Sequence, residues 1–259
     1  MNLNLTDKTA VVTGASKGIG LATVRTLTGE GVRVVGAART ITPELKETGA
    51  YAVSADLSTA EGVSALIDAA LVELGGIDLL VNNVGGGDAA ALGFLAADDT
   101  EWTRTFDINL LSAVRTTRAA LPSLIERRGA IVNISSTVAR TPGYAPAPYS
   151  TAKAALTALG KALSEEFGPQ GVRVNTISPG ATRTSAFEDP DRPVAKWAAA
   201  AGQTLAEFIQ RVPKDQNITT GRMTEADEVA ALIVFLLSDV AGNITGADYV
   251  IDGGTIKTV

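Results

Sequence analysis

Short runs of branched apolar residues alternate with longer amphipathic segments along nearly the whole chain. This rhythm constrains the fold more than any single motif. The runs TAVVT (9–13), RVVGAA (33–38), YAVSAD (51–56), IDLLVNN (77–83), GAIVNISS (129–136), VRVNTISPG (172–180) and ADYVIDGG (247–254) predict seven strands. Helical periodicity fills the gaps at 18–31, 58–76, 100–128, 148–168 and 225–239, with Ser58 a candidate N-cap for the second of these. Strands alternating with helices build βαβ units and a mostly parallel sheet. Such strands are covered on both faces, which accounts for their unbroken Val, Ile and Leu content. No linker or shift in composition divides the 259 residues, so the expectation is an α/β, doubly wound single domain over 1–259. The stretch 185–220 departs from the rhythm. It is long, contains proline and has no strand of its own, as lids and binding segments often do.

The composition narrows the chemistry. There is no histidine and no cysteine, so neither the commonest acid–base side chain nor a thiol nucleophile is available, and no metal site is expected. Proton transfer must come from Tyr, Lys, Ser, Asp or Glu. The formal charge of −6 argues against nucleic acid or an anionic membrane as the main partner. The first residues, MNLNLTDKTA, lack a basic segment followed by an apolar one, and runs such as 229–237 are too short to span a bilayer. With zero cysteines, these features point to a cytoplasmic protein.

Two motifs carry chemistry. TGASKGIG (13–20) joins the first strand to the first helix and spaces Gly14, Gly18 and Gly20 as G-x-x-x-G-x-G. Glycine there permits a tight turn and lets backbone N–H groups of Ser16, Lys17, Gly18, Ile19 and Gly20 approach a pyrophosphate at the positive end of the helix. On spacing alone the same turn could serve only strand–helix packing; its place in the first βα connection favours phosphate. In YSTAK (149–153), Tyr149 and Lys153 stand four apart, on one helical face. A free tyrosine has a pKa of about 10. A neighbouring ammonium favours the tyrosinate and is expected to lower that value.

These two motifs, with NNVG (82–85), NISS (133–136) and SPGATRT (178–184) at ordered intervals, make the chain resemble the short-chain dehydrogenase/reductase family, from about Lys8 to IDGG near residue 254. The resemblance implies a Rossmann-like fold, a bound NAD(H) or NADP(H), and hydride transfer between nicotinamide and a carbonyl/alcohol pair in a small-molecule substrate. It assigns Tyr149 as proton donor and acceptor, Lys153 to the nicotinamide ribose hydroxyls, and Ser136 to the substrate oxygen. Ser135 is the rival of Ser136, but adjacent strand side chains face opposite ways and the spacing to Tyr149 favours Ser136. Asn109 is implied to hold a water that reconnects Lys153 to solvent; a buried amide at a helix bend is the other reading. Asp56 and Leu57 would meet the adenine, unless Asp56 is simply a helix cap. Asn83 and Gly85 would lie along the cofactor, with Asn82 bracing the sheet. Pro179 and Gly180 would turn the chain under the nicotinamide, and Thr184, with Thr182 as the nearer rival, would contact the cofactor phosphate or carboxamide. Val84 replaces the family's usual alanine, so packing near the adenosine is expected to differ. GGGD (85–88) reads as an edge of the substrate mouth. Family members commonly assemble as homo-oligomers, dimers or tetramers.

Cofactor choice rests on the end of the second strand, GAART. An acidic residue there binds a ribose 2′-hydroxyl, whereas arginine accommodates a 2′-phosphate. Ala38 takes the acidic position, Arg39 follows, and Lys17 offers a second charge. Each alone could be a solvated surface residue; together they favour NADP(H), with NAD(H) still admissible. In 185–220, Phe187, Trp197, Leu205, Phe208 and Ile209 could form an apolar cover, and Thr204 with Glu207 resembles a capping box. Phe208 and Ile209 fit internal packing slightly better, which leaves Trp197 as the substrate-lining candidate. Asp189, Asp191 and Arg192 keep polar substrates open. The rival to an NADP(H)-dependent carbonyl reductase is a cofactor-binding regulator without turnover, against which the intact set Asn109, Ser136, Tyr149 and Lys153 argues. A sugar-nucleotide epimerase would normally need a larger C-terminal region.

Overall fold

A computed structural model describes residues 2–86, 93–188 and 193–258, without the side chains of Tyr144, Ala186, Glu188 and Pro193. Gly87 and Asp88 of the GGGD segment, and Asp189, Asp191 and Arg192, lie outside the described residues. The seven expected strands are present as β1 (Thr9–Thr13), β2 (Arg33–Ala38), β3 (Tyr51–Ser54), β4 (Leu79–Asn82), β5 (Ala130–Ile134), β6 (Arg173–Pro179) and, after a two-residue pair described below, β9 (Asp248–Ile251). They form one sheet in the order β3-β2-β1-β4-β5-β6-β9, every neighbouring pair parallel.

Both faces are covered, as continuous apolar strands require. Along β1 the pleat sends Ala10 and Val12 to one core and Val11 to the other. The first core packs the sheet against α1 (Gly18–Gly29) and α10 (Ala226–Leu237) through Leu21, Val24, Leu27, Val229, Ile233 and Val234. The second packs it against α3 (Ala60–Leu74), α5 (Ser112–Arg127) and α6 (Ala147–Phe167). Leu27, Leu66 and Ile233 are wholly buried, each contributing about 1.5–3 kcal/mol relative to exposure.

Four local features differ from the expectations. The N-cap of α3 is Thr59, which accepts from the Gly62 N–H at 3.1 Å; Ser58 instead donates its hydroxyl to Asp56 at 2.8 Å. The helix expected over 100–128 is α4 (Asp99–Phe106), then a π-helical turn at Asp107–Leu111, then α5. A short helix, α2 (Pro43–Glu47), follows β2, capped by Thr42. Between β6 and β9 a small ladder pairs β7 (Thr182–Arg183) with β8 (Thr224–Glu225) and closes off the insertion, which holds α7 (Ser185–Glu188), α8 (Pro193–Ala200) and α9 (Leu205–Asp215). The Thr204–Glu207 capping box starts α9 as expected. No helix among the described residues is long and apolar enough to cross a membrane.

The strand order reverses between β1 and β4. In parallel sheets the crevice outside the carboxyl ends at such a reversal is where ligands bind. The chain leaving β1, β4, β5 and β6 there carries Gly14, Asn83, Ser136 and Gly180 respectively.

Candidate active site

The glycine-rich turn is shaped by the absence of side chains. Gly14 and Gly18 adopt φ of 66° and 53°, a region L-residues rarely enter. A Cβ on Gly20 would lie 2.1 Å from the Gly14 carbonyl oxygen, and one on Gly14 would lie 2.8 Å from Asn83 Nδ2. Asn83 ties this turn to the β4 exit by donating from Nδ2 to the carbonyls of Thr13 (2.9 Å) and Gly14 (3.1 Å). Thr13 completes the seam: its hydroxyl accepts from the Asn83 and Val84 N–H groups at 2.9 and 3.0 Å. Helix α1 starts immediately, with Lys17 as an extended N-cap whose side chain makes no capping bond. A backbone this close, opening onto helix N–H groups, fits a dinucleotide pyrophosphate. Gly20→Ala forces the turn apart and is expected to weaken dinucleotide binding by about tenfold or more, read by fluorescence titration on protein whose far-UV spectrum is unchanged. Wild-type affinity in that variant would remove the turn from the cofactor site.

At the neighbouring end of β2, Ala38 is buried while Arg39 and Lys17 are exposed. Ser54 on β3 donates to the Arg39 carbonyl at 3.0 Å and fixes the backbone there. Asp56 is not the cap of α3. Its carboxylate accepts from the N–H (3.0 Å) and hydroxyl (2.8 Å) of Ser58. Those bonds, with a smaller contribution from the Arg39 charge, hold its pKa below the usual carboxylate value. Leu57 is buried beneath it. Val84 packs against the core on the α3 and α5 side. One residue absent from the sequence reading joins this region to the next: Arg115 on α5 donates to the Ser58 carbonyl at 2.7 Å and pairs with Asp107 at 3.0 Å. Asp107 opens the π-helical turn, so Arg115 braces both the Asp56–Ser58 loop and that turn.

Tyr149 and Lys153 stand on the first turns of α6, with the Lys153 ammonium 5.7 Å from the centre of the Tyr149 ring. Tyr149 is half-buried and Lys153 almost wholly so. Nζ donates to the Ile134 carbonyl of β5 at 2.8 Å, its one acceptor among the described residues. Gly85 makes room for this group: a Cβ there would lie 3.1 Å from Nζ and 2.8 Å from Asn109 Oδ1. Asn109 sits on the π-helical turn. Its amide donates to the carbonyls of Thr105 and Gly86, both at 2.9 Å, and its oxygen accepts from the Gly86 N–H at 3.0 Å. The buried-amide reading of Asn109 is therefore what the geometry displays, and π turns of this kind gather at functional sites.

The two serines part company. Ser135 is buried and engaged with α6, donating to the Lys153 carbonyl at 2.9 Å and meeting the Thr157 hydroxyl at 2.7 Å. Ser136 is half-buried, its hydroxyl accepts from the Val138 N–H at 3.4 Å, and it lies near enough to the Tyr149 phenol to bear on its ionisation. Burial pushes the phenol up to about 12, with the nearby Ser136 hydroxyl pulling the other way, and burial brings the Lys153 ammonium down to about 8. The lowering expected for Tyr149 is thus reversed in the protein alone. Desolvation outweighs an ammonium that lies over the ring and is held by a carbonyl.

The β6 exit closes the crevice. Gly180 abuts Asp252, where a Cβ would come within 2.7 Å of the Asp252 Cβ, and its N–H donates to Ile251 at 2.9 Å. Thr182 is buried, and its hydroxyl donates to the Gly180 carbonyl at 3.0 Å. Thr184 lies against the glycine-rich turn, its methyl 3.1 Å from where a Gly18 Cβ would be. Asn82 donates to Thr117 and to Asn133 of β5, both at 2.9 Å, and so braces the central strands. In the insertion, Phe187, Phe208 and Ile209 pack on Val212, Ile218 and Met223 in a small core of their own. Trp197 is half-buried on α8.

A family model described as enoyl-(acyl carrier protein) reductase matches residues 14–255. An uncharacterized oxidoreductase of Bacillus subtilis is 35% identical over 100% of both chains. The 3beta-hydroxysteroid dehydrogenase 1 of Eggerthella lenta is 36% identical, covering 97% of this chain and 94% of that one. Among solved structures, L-sorbose reductase from Gluconobacter frateurii, complexed with NADPH and L-sorbose, superposes with a TM-score of 0.91 at 32% identity over 100% of both chains.

Proposed function

We propose, from the premise that this chain belongs to the short-chain dehydrogenase/reductase family and is an oxidoreductase, that it transfers hydride between NADP(H) and a ketone or secondary alcohol. The observation that carries the reading is the meeting of Tyr149, Ser136 and Lys153 beside a glycine-shaped cradle at the sheet's reversal point. Bound NADPH supplies the hydride. Ser136 donates a hydrogen bond to the carbonyl oxygen, and Tyr149 passes its phenolic proton to that oxygen as the alcohol forms. Lys153 has two N–H donors left after Ile134; with the cofactor bound they would hold its ribose hydroxyls and a water on the Asn109 side, and that water would let Tyr149 be reprotonated. Arg39 with Lys17 favours the 2′-phosphate, in keeping with NADPH in the sorbose reductase complex. Asp56 and Leu57 would meet the adenine, and Pro179, Gly180, Thr182 and Thr184 the nicotinamide side. Assembly as a homo-oligomer, dimer or tetramer, follows the family habit.

The substrate is read as a ketone with some apolar bulk, lined on one side by Trp197. Since Phe187, Phe208 and Ile209 pack within the insertion, the apolar contribution of that segment is smaller than its composition suggests. A panel running from steroid ketones to ketoses, with loss of NADPH absorbance as readout, tests the reaction. Turnover on at least one ketone is expected; binding of NADPH with no turnover on any would favour the regulatory reading. The pH profile of reduction follows from the two buried groups. Tyr149 stays protonated to about 12 and Lys153 to about 8, so the rate should be level below that lower value and fall above it as the ammonium loses its charge. A reduction rate that climbs from pH 8 to 10 would contradict this assignment.

A further inference from the structure

The segment after β9 is fastened to the insertion, not only to the sheet. Asp252 is buried and holds a tight turn by accepting from the N–H groups of Gly254 and Ile256, both at 2.7 Å. Gly253 and Gly254 both take positive φ, 62° and 81°, and both lie against the chain that leaves α9. A Cβ on Gly253 would come 2.5 Å from Thr220 Oγ1 and 2.7 Å from the Ile218 side chain; one on Gly254 would come 2.7 Å from Thr219 Oγ1. The Thr220 N–H donates to the Gly253 carbonyl at 3.0 Å, and the Thr219 hydroxyl to the Gly254 carbonyl at 2.9 Å. Lys257 completes the junction. Its ammonium donates to the Asn217 carbonyl (2.8 Å), to Thr219 Oγ1 (2.7 Å) and to the Gly254 carbonyl, so all three of its hydrogens have acceptors.

The position of this junction gives it consequence. Asn217, at a left-handed φ of 50°, is where the chain turns out of α9. The next residue, Ile218, belongs to the small core that Phe187, Phe208 and Ile209 pack on. On its other side the same turn touches Gly180, at the exit of β6. The 252–257 turn is thus wedged between the loop that closes the crevice and the outgoing hinge of the helices next to it.

We propose that Lys257 is a positioning residue for substrate recognition: it fixes the hinge at Asn217–Thr220 and thereby the placement of α8 and α9 over the crevice. This rests on the reading of 185–220 as the substrate cover. Asp252 of the same turn abuts Gly180, but Lys257 itself bonds to Asn217, Thr219 and Gly254 and to none of the proposed catalytic or cofactor-binding groups among the described residues, so its effects should fall on substrate and spare cofactor.

Lys257→Met in the full chain tests it by two independent readouts. Limited trypsin digestion reports hinge opening through cleavage after the exposed Lys196, Arg211 and Lys214; loss of three hydrogen bonds should speed those cuts by about tenfold, because cleavage tracks the population of the locally opened form. With whichever ketone the panel identifies, KM should rise by about tenfold while kcat and NADPH affinity change by less than about twofold. Thr219→Val should move both readouts the same way. Cleavage at the wild-type rate in Lys257→Met overturns the assignment. So does a fall in NADPH affinity as large as the rise in KM, which would mark a general loss of stability. Faster cleavage in a protein that reduces no ketone upholds the hinge and sinks only the proposed reaction.

Discussion

Tyr149→Phe is expected to lower ketone reduction by about a thousandfold, the middle of the range for removal of a general acid, while NADPH still binds. The substitution takes away one oxygen and leaves the ring where it is. That ring is half-buried against Lys153, so the variant should fold and keep the ammonium at its 5.7 Å distance. What disappears is the phenolic hydroxyl that lies near Ser136 and would give its proton to the substrate oxygen. Ser136 cannot substitute for it. A serine hydroxyl donates a hydrogen bond readily, but it does not give up its proton near neutrality. Lys153 cannot take over directly either, since it is held on the Ile134 carbonyl. The effect should therefore appear in kcat, with NADPH titration unchanged. A variant retaining a tenth or more of wild-type turnover would show that the proton arrives by another route.

How far this site was legible depends on whether a feature is local in sequence. Most strands were readable to within a residue or two because burial on both faces forces continuous branched apolar runs; β1 and β2 have the bounds their runs suggest, while the last ends three residues early, at Ile251. The glycine turn and the Tyr149–Lys153 pair were also readable, since each is one short segment with a fixed geometry. The short α2 could have been found: Thr42 as cap, Pro43 at the first helical position and Glu44 after it make a start signal. The π turn at Asp107–Leu111 could not, because one inserted residue hardly disturbs helical periodicity over a long segment. Arg115 and Lys257 were missed for a different reason. Their distant partners lie 57 residues away at Ser58 and 38 to 40 residues away at Thr219 and Asn217, and a local window shows none of these. The direction of the Tyr149 shift was misjudged because sequence shows the neighbouring charge but not the desolvation that opposes it.

Arg39→Asp should reverse the cofactor preference. At the end of β2, Ala38 is buried and leaves no carboxylate facing the ribose position, and the Ser54 bond to the Arg39 carbonyl keeps the backbone in place whichever side chain follows. The guanidinium can take a phosphate through two parallel N–H bonds. Losing a charge-assisted contact of that kind costs about 1.5–3 kcal/mol, or roughly ten- to a hundredfold. The aspartate adds repulsion of the 2′-phosphate, so kcat/KM for NADPH is expected to fall by about a hundredfold or more. Lys17 remains as a point charge across the turn, which should leave some NADPH activity and make it steeply salt-dependent. For NADH the change should be small or favourable, because a carboxylate can accept from the free 2′-hydroxyl. Asp56 provides the internal control. It lies close enough to feel the Arg39 charge, yet its carboxylate is held by Ser58, so its contribution should be common to both cofactors. The ratio of the two kcat/KM values isolates the 2′ position from everything the cofactors share. An equal loss for NADPH and NADH would mean that Arg39 supports the fold of this edge and does not read the phosphate.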